Sequence, residues 1–115
     1  MIHSLTLFVR DLEKSKSFYE AIGLTFLAME PKGMGAPIHG YYAQVPHTYH
    51  MSFQLLIGEP GQGELGFFVQ SGGYVRDVMR QKGFEPSPDH HPANPRGPFT
   101  YFDPDGRKVS FDEIG

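Results

Sequence analysis

The sequence contains no cysteine, which excludes disulfide bonds, thiolate metal ligands and cysteine nucleophiles. It also lacks a block of basic residues, and its net charge of -3 gives nucleic acid no positive surface to bind. No apolar run approaches the roughly 20 residues that a membrane-spanning helix needs. The N-terminus does not show the charged and then apolar pattern of a signal peptide. We therefore expect a cytoplasmic protein with neither a nucleic acid nor a membrane as partner.

The pattern of the first half predicts a strand, a helix and three further strands. Residues 2–9 are rich in β-branched and apolar side chains, which is typical of a strand. Apolar residues then follow helical spacing over 12–22, with Asp11 as the N-cap and Gly23 at the end. Further strands are predicted at 24–29, 38–45 and 51–57.

The same pattern restarts in the second half. It predicts a strand at 64–69, a helix at 72–82 that ends at Gly83, and strands at 84–85, 99–103 and 108–112. Fourteen residues separate Val9 from Gly23, and fourteen separate Val69 from Gly83. This repeat indicates one domain over residues 1–115, with a module at 1–57, a turn-rich linker at 58–63 and a second module at 64–115.

Two such modules predict an α+β fold with helices on the outside and curled mixed sheets around a cleft. A helix covers only one face of a sheet, so the other faces must bury themselves against each other or around a ligand. Side chains alternate along a strand, and the more uniformly apolar set should lie under the helix. The residues expected to face the cleft are Ser4, Thr6, Phe8, Glu64, Gly66 and Phe68.

Two stretches resemble a known superfamily, namely VRDLEKSKSFYEAIGL at 9–24 and DPDGRKVSF at 103–111. Both are similar to sequences of the glyoxalase/bleomycin-resistance/extradiol-dioxygenase superfamily, also called the vicinal oxygen chelate proteins. The resemblance extends over essentially the whole chain. It implies paired β-α-β-β-β modules, usually in a homodimer. It also implies a metal bound by His or Gln on the first strand, Glu on the fourth, His on the fifth and Glu on the eighth.

The chain departs from that ligand pattern. Counting back from Asp11 along the family pattern places the first-strand metal ligand at Ser4. Strand alternation should turn the neighbouring His3 to the opposite face. Ser4, Gln54, Glu64 and Ser110 occupy the four positions. One carboxylate, one amide and two hydroxyls suit a divalent transition metal poorly, because such ions favour imidazole and carboxylate ligands. We therefore expect no metal and no other cofactor. A displaced metal held by Glu64 with His90 or His91 is the alternative.

Other polar residues near the predicted cleft allow two interpretations each. Burial of Glu64 among aromatic rings would raise its pKa and suit it to acid–base catalysis or to pairing with a cationic ligand. The alternative is a solvated glutamate at a strand end. The stiff, proline-rich loop at 86–98 could aim Arg96, His90 or His91 at a ligand. It could equally be an exposed surface loop.

These features favour a protein that binds a small, planar or aromatic molecule without a metal. The expected stacking walls are Phe8, Phe68, Tyr42 and Tyr101, since aromatic side chains give large contact areas with few rotamers to freeze. An enzyme is the alternative, with lyase- or isomerase-like chemistry, metal-free acid–base catalysis at Glu64 or a displaced metal. A dimeric scaffold without a ligand is the third hypothesis.

Overall fold

A computed structural model describes residues 4–29, 39–45, 51–61, 63–87 and 99–114. The strands and helices follow the predicted order, and most boundaries agree within two residues. The elements are β1 (Ser4–Val9), α1 (Leu12–Ile22), β2 (Leu27–Ala28), β3 (Gly40–Gln44), β4 (Ser52–Ile57), β5 (Glu64–Val69), α2 (Gly72–Gln81), β6 (Phe99–Phe102) and β7 (Lys108–Glu113).

Both helices begin and end as their sequences predict. The Asp11 side chain accepts a hydrogen bond from the backbone N of Lys14, and Ser71 caps α2 in the same way. Gly23 ends α1 in the left-handed conformation at φ 120, which glycine adopts without strain. Gly83 follows α2 at φ 87. The glycines sixty residues apart therefore terminate equivalent helices.

The two halves form two open, mixed sheets of the same design. In the four-stranded sheet the order is β1-β4-β3-β2, with β1 parallel to β4. In the three-stranded sheet the order is β5-β7-β6, with β5 parallel to β7. Each half places a helix between its first strand and the antiparallel strands that follow. The fold is α+β, as predicted, and is consistent with two β-α-β-β-β modules.

Two of the short predicted strands differ from the structure. The strand predicted at 24–29 pairs only at Leu27–Ala28, because Leu24 and Phe26 are buried in the core instead. The backbone N of Leu24 still donates to Tyr19 at the end of α1. The strand predicted at 84–85 is replaced by a single antiparallel bridge between Pro86 and Tyr101. In both segments the first residue donates a hydrogen bond to the end of the preceding helix, so pairing with the sheet begins further along the chain.

The hydrophobic core lies between the helices and one face of each sheet. In the first half, Phe53 and Leu55 of β4 are buried together with Phe18 and Tyr19 of α1. The two halves share this core, because the Phe67 ring of β5 lies 6.2 Å from the Phe53 ring. Within the second half, Met79 of α2 and the β6–β7 aromatic residues are buried in the same way. The buried residues therefore show which face of each long strand lies on the helix side.

A buried polar network connects the turn after β6 to the first half. The Tyr19 hydroxyl donates to Asp103 Oδ2 at 2.6 Å, and Arg107 Nη1 donates to the same oxygen at 3.0 Å. Arg107 Nη2 also donates to the backbone oxygen of Phe8 in β1. Asp103 Oδ1 accepts from the backbone N atoms of Asp105 and Arg107, which fixes the turn itself. This Asp103 network therefore sets the position of β1 relative to the β6–β7 turn.

Replacing Asp103 by alanine should lower the free energy of unfolding by about 3–5 kcal/mol, because Arg107 would keep a buried charge without its main partner. Tyr19→Phe removes one hydrogen bond to a charged group and should lower it by about 2 kcal/mol. Urea unfolding followed by circular dichroism measures both. Asp112→Ala, at a partly exposed position of β7, is the control. A loss below about 1 kcal/mol for Asp103→Ala would contradict the assigned network.

Alkaline pH should destabilise the fold through its buried tyrosines. Burial raises the pKa of Tyr19, and the hydrogen bond to Asp103 raises it further. Burial also raises the pKa of Tyr101. Unfolded tyrosine ionises near about pH 10, so the free energy of unfolding should be retained below that pH and fall above it.

Unfolding in urea between about pH 9 and about pH 11 measures this fall. It should be shallower in Tyr19→Phe, which has one fewer ionising group. An equal fall in both proteins would show that Tyr19 does not contribute.

Candidate functional site

The site is built on the sheet faces that point away from the helices. In the first half this face carries Thr6 and Gln54, which lie opposite each other in the β1–β4 register. The Thr6 hydroxyl donates to Gln54 Oε1 at 3.1 Å. Ser4 precedes Thr6 by two residues and so lies on the same face, in register with Ser52. The helix-free face of this sheet thus has a polar floor that is already hydrogen-bonded.

The second half presents a matching face with an ion pair. Glu64 and Lys108 are in register on β5 and β7, and Lys108 Nζ lies 3.9 Å from Glu64 Oε1. Ser110 follows on the same face, in register with Gly66 on one side and Thr100 on the other. The Glu64–Lys108 pair therefore lies at one end of this face, Asp112 lies at the other end, and hydroxyl groups occupy the middle.

Aromatic side chains on these faces remain exposed. Phe8 is 47% exposed, Phe68 76% and Tyr42 40%. The Phe8 ring lies against Gly58, where an added Cβ would come within 2.7 Å of the ring. Phe102, which the sequence reasoning missed, is also 47% exposed. Alternation along β6 places Phe102 on the face of Thr100, and that period-two pattern could have identified it.

Tyr101, by contrast, does not line the helix-free face. Its side chain is 1% exposed, and its ring stacks on Phe111 with centroids 5.6 Å apart. Tyr101 is in register with Val109, which is fully buried on the helix side. The expectation that Tyr101 forms a stacking wall is therefore corrected, because alternation in β6 gives the exposed face to Phe102.

A pocket of about 320 Å³ lies between the neighbouring edges of the two sheets. Its lining includes Thr6 and Phe8 from β1, Glu64 from β5, and Arg107 from the Asp103 network. An adjoining polar pocket of about 570 Å³ continues past Glu64 to Phe102 and Lys108. Of the residues predicted for the site, the first pocket brings together Phe8 and Glu64. The others that the structure describes lie on the helix-free faces outside it, namely Ser4, Tyr42, Gln54, Phe68 and Ser110.

Glu64 differs from the desolvated carboxylate that an aromatic cleft would create. Its side chain is 73% exposed and is paired with Lys108. Water therefore solvates the carboxylate. This environment corresponds to the alternative of a solvated strand-end glutamate.

Several residues named from the sequence lie outside the described part of the chain. They include His3 and the loop residues His90, His91 and Arg96. His39 is described, and its backbone oxygen accepts a hydrogen bond from Ile57. The hypotheses of a displaced metal and of an arginine aimed at the cleft therefore stay predictions.

The donor atoms at the four family positions do not form a set that suits a divalent transition metal. Gln54 Oε1 accepts from Thr6, Glu64 is paired with Lys108, and Ser4 and Ser110 offer only hydroxyl groups. Such ions favour imidazole and carboxylate ligands. In the part of the chain that the structure describes, no three His, Cys, Asp or Glu side chains are grouped closely enough to hold a metal ion.

Comparison with protein-family models shows the superfamily of the chain. The model described as Glyoxalase/Bleomycin resistance protein/Dioxygenase superfamily matches residues 1–111. The chain belongs to this superfamily. Its paired sheets and the resemblance of its helix and turn sequences agree with that assignment. No curated protein sequence matches the chain.

Solved structures share the superfamily fold at low sequence identity. A glyoxalase/bleomycin resistance protein from Catenulispora acidiphila is 18% identical, with a TM-score of 0.66, over 100% of this chain and 99% of the other. A lactoylglutathione lyase from Agrobacterium tumefaciens is 17% identical, with a TM-score of 0.63, over 98% and 92%.

The fosfomycin resistance protein FosX from Listeria monocytogenes is 16% identical, with a TM-score of 0.69, over 100% and 92%. That structure, of a mutant, contains Mn(II) and 1S,2S-dihydroxypropylphosphonic acid. At these identities the likeness shows the fold alone. No helix in the described ranges has the length and apolar character needed to cross a membrane.

Introducing the superfamily ligands at these positions should create a metal site. We predict that the triple variant Ser4→His, Glu64→His, Ser110→Glu binds one Mn²⁺ per chain, because it supplies two imidazoles and a carboxylate. Isothermal titration calorimetry with Mn²⁺ measures this, and the unaltered protein is the control. Stoichiometric binding by the unaltered protein, lost in Glu64→Gln, would contradict the assignment of its donor set.

Proposed function

We propose that this superfamily member binds a small, planar or aromatic molecule in the cleft between its sheets, without a metal at the family position. The observation that supports this most directly is the exposure of aromatic rings around a hydrogen-bonded polar floor. Phe8, Tyr42 and Phe102 are each at least 40% exposed on faces that no helix covers. Exposed aromatic surface beside a polar floor is typical of ligand sites.

The polar floor is suited to orienting a ligand rather than to binding an ion. Thr6 and Gln54 are partly buried and bonded to each other through Gln54 Oε1, so the amide NH₂ of Gln54 is the donor proposed to meet a ligand. At the pocket between β1 and β5, Glu64 and Lys108 supply one charge of each sign. A planar ligand with polar edges would stack on an aromatic ring and exchange hydrogen bonds with this floor.

Catalysis at Glu64 has less support than binding. A general base must usually be tuned toward neutral pH by burial or by like charges, and Glu64 has neither feature. Its 73% exposed side chain faces an ammonium group instead. The structure therefore favours a role for Glu64 in pairing with a polar or cationic ligand group.

We also propose that the protein acts as a homodimer in the cytoplasm. Outside the two pockets that lie beside β1, large apolar side chains remain exposed. They include Leu27 and Ile57, both 58% exposed. A second chain would remove this surface from water. Sedimentation equilibrium tests the dimer, and a monomer at all protein concentrations would contradict it.

The binding proposal is tested by a screen followed by variants. Native mass spectrometry with a panel of planar aromatic compounds, bleomycin among them, should give at least one saturable complex. For the tightest compound, Phe8→Ala and Phe102→Ala should each weaken binding about tenfold or more, because each removes a stacking surface. Isothermal titration calorimetry measures the change.

Tyr74→Ala is the matched control, since Tyr74 is an exposed aromatic residue of α2, 70% exposed, outside the cleft. It should leave the affinity unchanged. Failure of every compound to bind, or equal losses in Tyr74→Ala and Phe8→Ala, would overturn the proposed function.

A further inference from the structure

A second cavity lies on the other side of the seam between the two sheets. It measures about 470 Å³, within the range of small-molecule pockets. The helix-side residues of β1, β4 and β5 line it together with the end of α1. The principal side chains are Leu5, Ile22, Leu24, Phe53, Leu65 and Phe67. We refer to it as the seam cavity.

The seam cavity is distinct from the cleft. Leu5 and Leu65 separate the two spaces, since both side chains also border the pocket that contains Thr6, Phe8 and Glu64. None of those three residues lines the seam cavity. The polar floor and the ion pair of the cleft are therefore outside it.

The lining of the seam cavity is apolar throughout. Every described side chain that borders it is aliphatic, aromatic or a thioether, and two glycines complete the wall. A charged ligand would lose its hydration there without gaining a partner, which is costly. Walls with these side chains therefore suit an uncharged, apolar molecule better than a charged one.

Gly66 borders the seam cavity through its backbone, because strand alternation turns its side-chain position, like that of Ser110, to the helix-free face. It lies in the middle of β5, where glycine is a poor strand residue, and an added Cβ would meet no atom within 4 Å. No packing contact in the described structure therefore requires glycine here. Glycine inside a strand often marks the close approach of a ligand, and Gly66 borders the seam cavity.

The seam cavity also has an entrance. Phe68 and Ile114 line both the cavity and an adjoining groove of about 840 Å³ that runs along α2. Their side chains are 76% and 57% exposed. Rotation of these two side chains would open or close the route from solvent.

We propose that the seam cavity is a second binding site, for an uncharged hydrophobic molecule of about the size of one bicyclic ring. This inference does not rest on the proposed function of the cleft, because none of the proposed cleft contacts Phe8, Gln54 and Glu64 lines the seam cavity. The probe pair that tests it is 1-methylindole and 1-methylindole-3-carboxylate, which share a ring system and differ by one charge. The neutral compound should bind saturably, and the anion about tenfold more weakly or less.

Nuclear magnetic resonance of the unaltered protein locates the bound probe. Ring protons of 1-methylindole should give intermolecular Overhauser effects to the methyl groups of Ile22, Leu24 and Leu65. Effects to Thr6 and Phe8 alone would place the neutral compound in the cleft and overturn the proposal. Equal affinity for the two probes would overturn it as well.

A filling variant tests the same site from the protein side. Met51→Trp places a larger apolar side chain at the cavity wall, on the same face of the chain as Phe53, and should remain folded because Met51 is only partly buried. It should weaken 1-methylindole binding about tenfold. Ser52→Trp, the same replacement one residue later and on the opposite face of β4, should leave binding unchanged. A folded Met51→Trp protein with unaltered affinity would contradict the seam site.

Discussion

The buried contact between Asp103 and Arg107 is the constraint on which the relative position of the two halves depends. Arg107 extends from the second half to the backbone of Phe8, and Asp103 receives the hydroxyl of Tyr19 from α1. A buried ion pair with satisfied hydrogen bonds is a directional contact, unlike apolar packing. Because Arg107 also bonds to the backbone of β1, this contact fixes the strand that carries the Phe8 side chain.

Strand alternation then divides the molecule into two environments. Side chains on the helix side of each sheet form a continuous core that crosses between the halves through Phe53 and Phe67. Side chains on the other side form an open face of hydroxyls, amides, charged groups and exposed aromatic rings. A one-residue shift of register would exchange the two sets, so the parallel pairing of β1 with β4 and of β5 with β7 determines which residues can meet a ligand.

The sequence predicts the elements well because their signals are local. The cap at Asp11, the glycines at the helix ends and the repeat of spacing all depend on residues within one turn or one strand. The side assigned to Ser4, Thr6 and Phe8 likewise agrees with the observed register. The prediction for Tyr101 was wrong because aromatic residues occur on both faces of β6, so residue type does not distinguish the faces. Phe99 and Tyr101 are buried in the core, and Phe102 is exposed.

Features that depend on distant residues were not predictable from spacing. Glu64 is paired with Lys108, forty-four positions later, and it is exposed because it lies at the start of a strand. The Asp103 network joins residues up to 99 positions apart. The seam cavity exists because two sheet edges meet without filling the space between them, which depends on packing geometry rather than on any motif.

The central claim is that this superfamily member binds its cleft ligand without the help of a metal. The most direct test is the affinity for one cleft compound, measured by calorimetry in excess EDTA and again with excess Mn²⁺. We expect the same dissociation constant in both solutions, because the proposed contacts are those of Phe8, Gln54 and the Glu64–Lys108 pair. A tenfold or greater loss of affinity in EDTA, restored by Mn²⁺, would contradict the account.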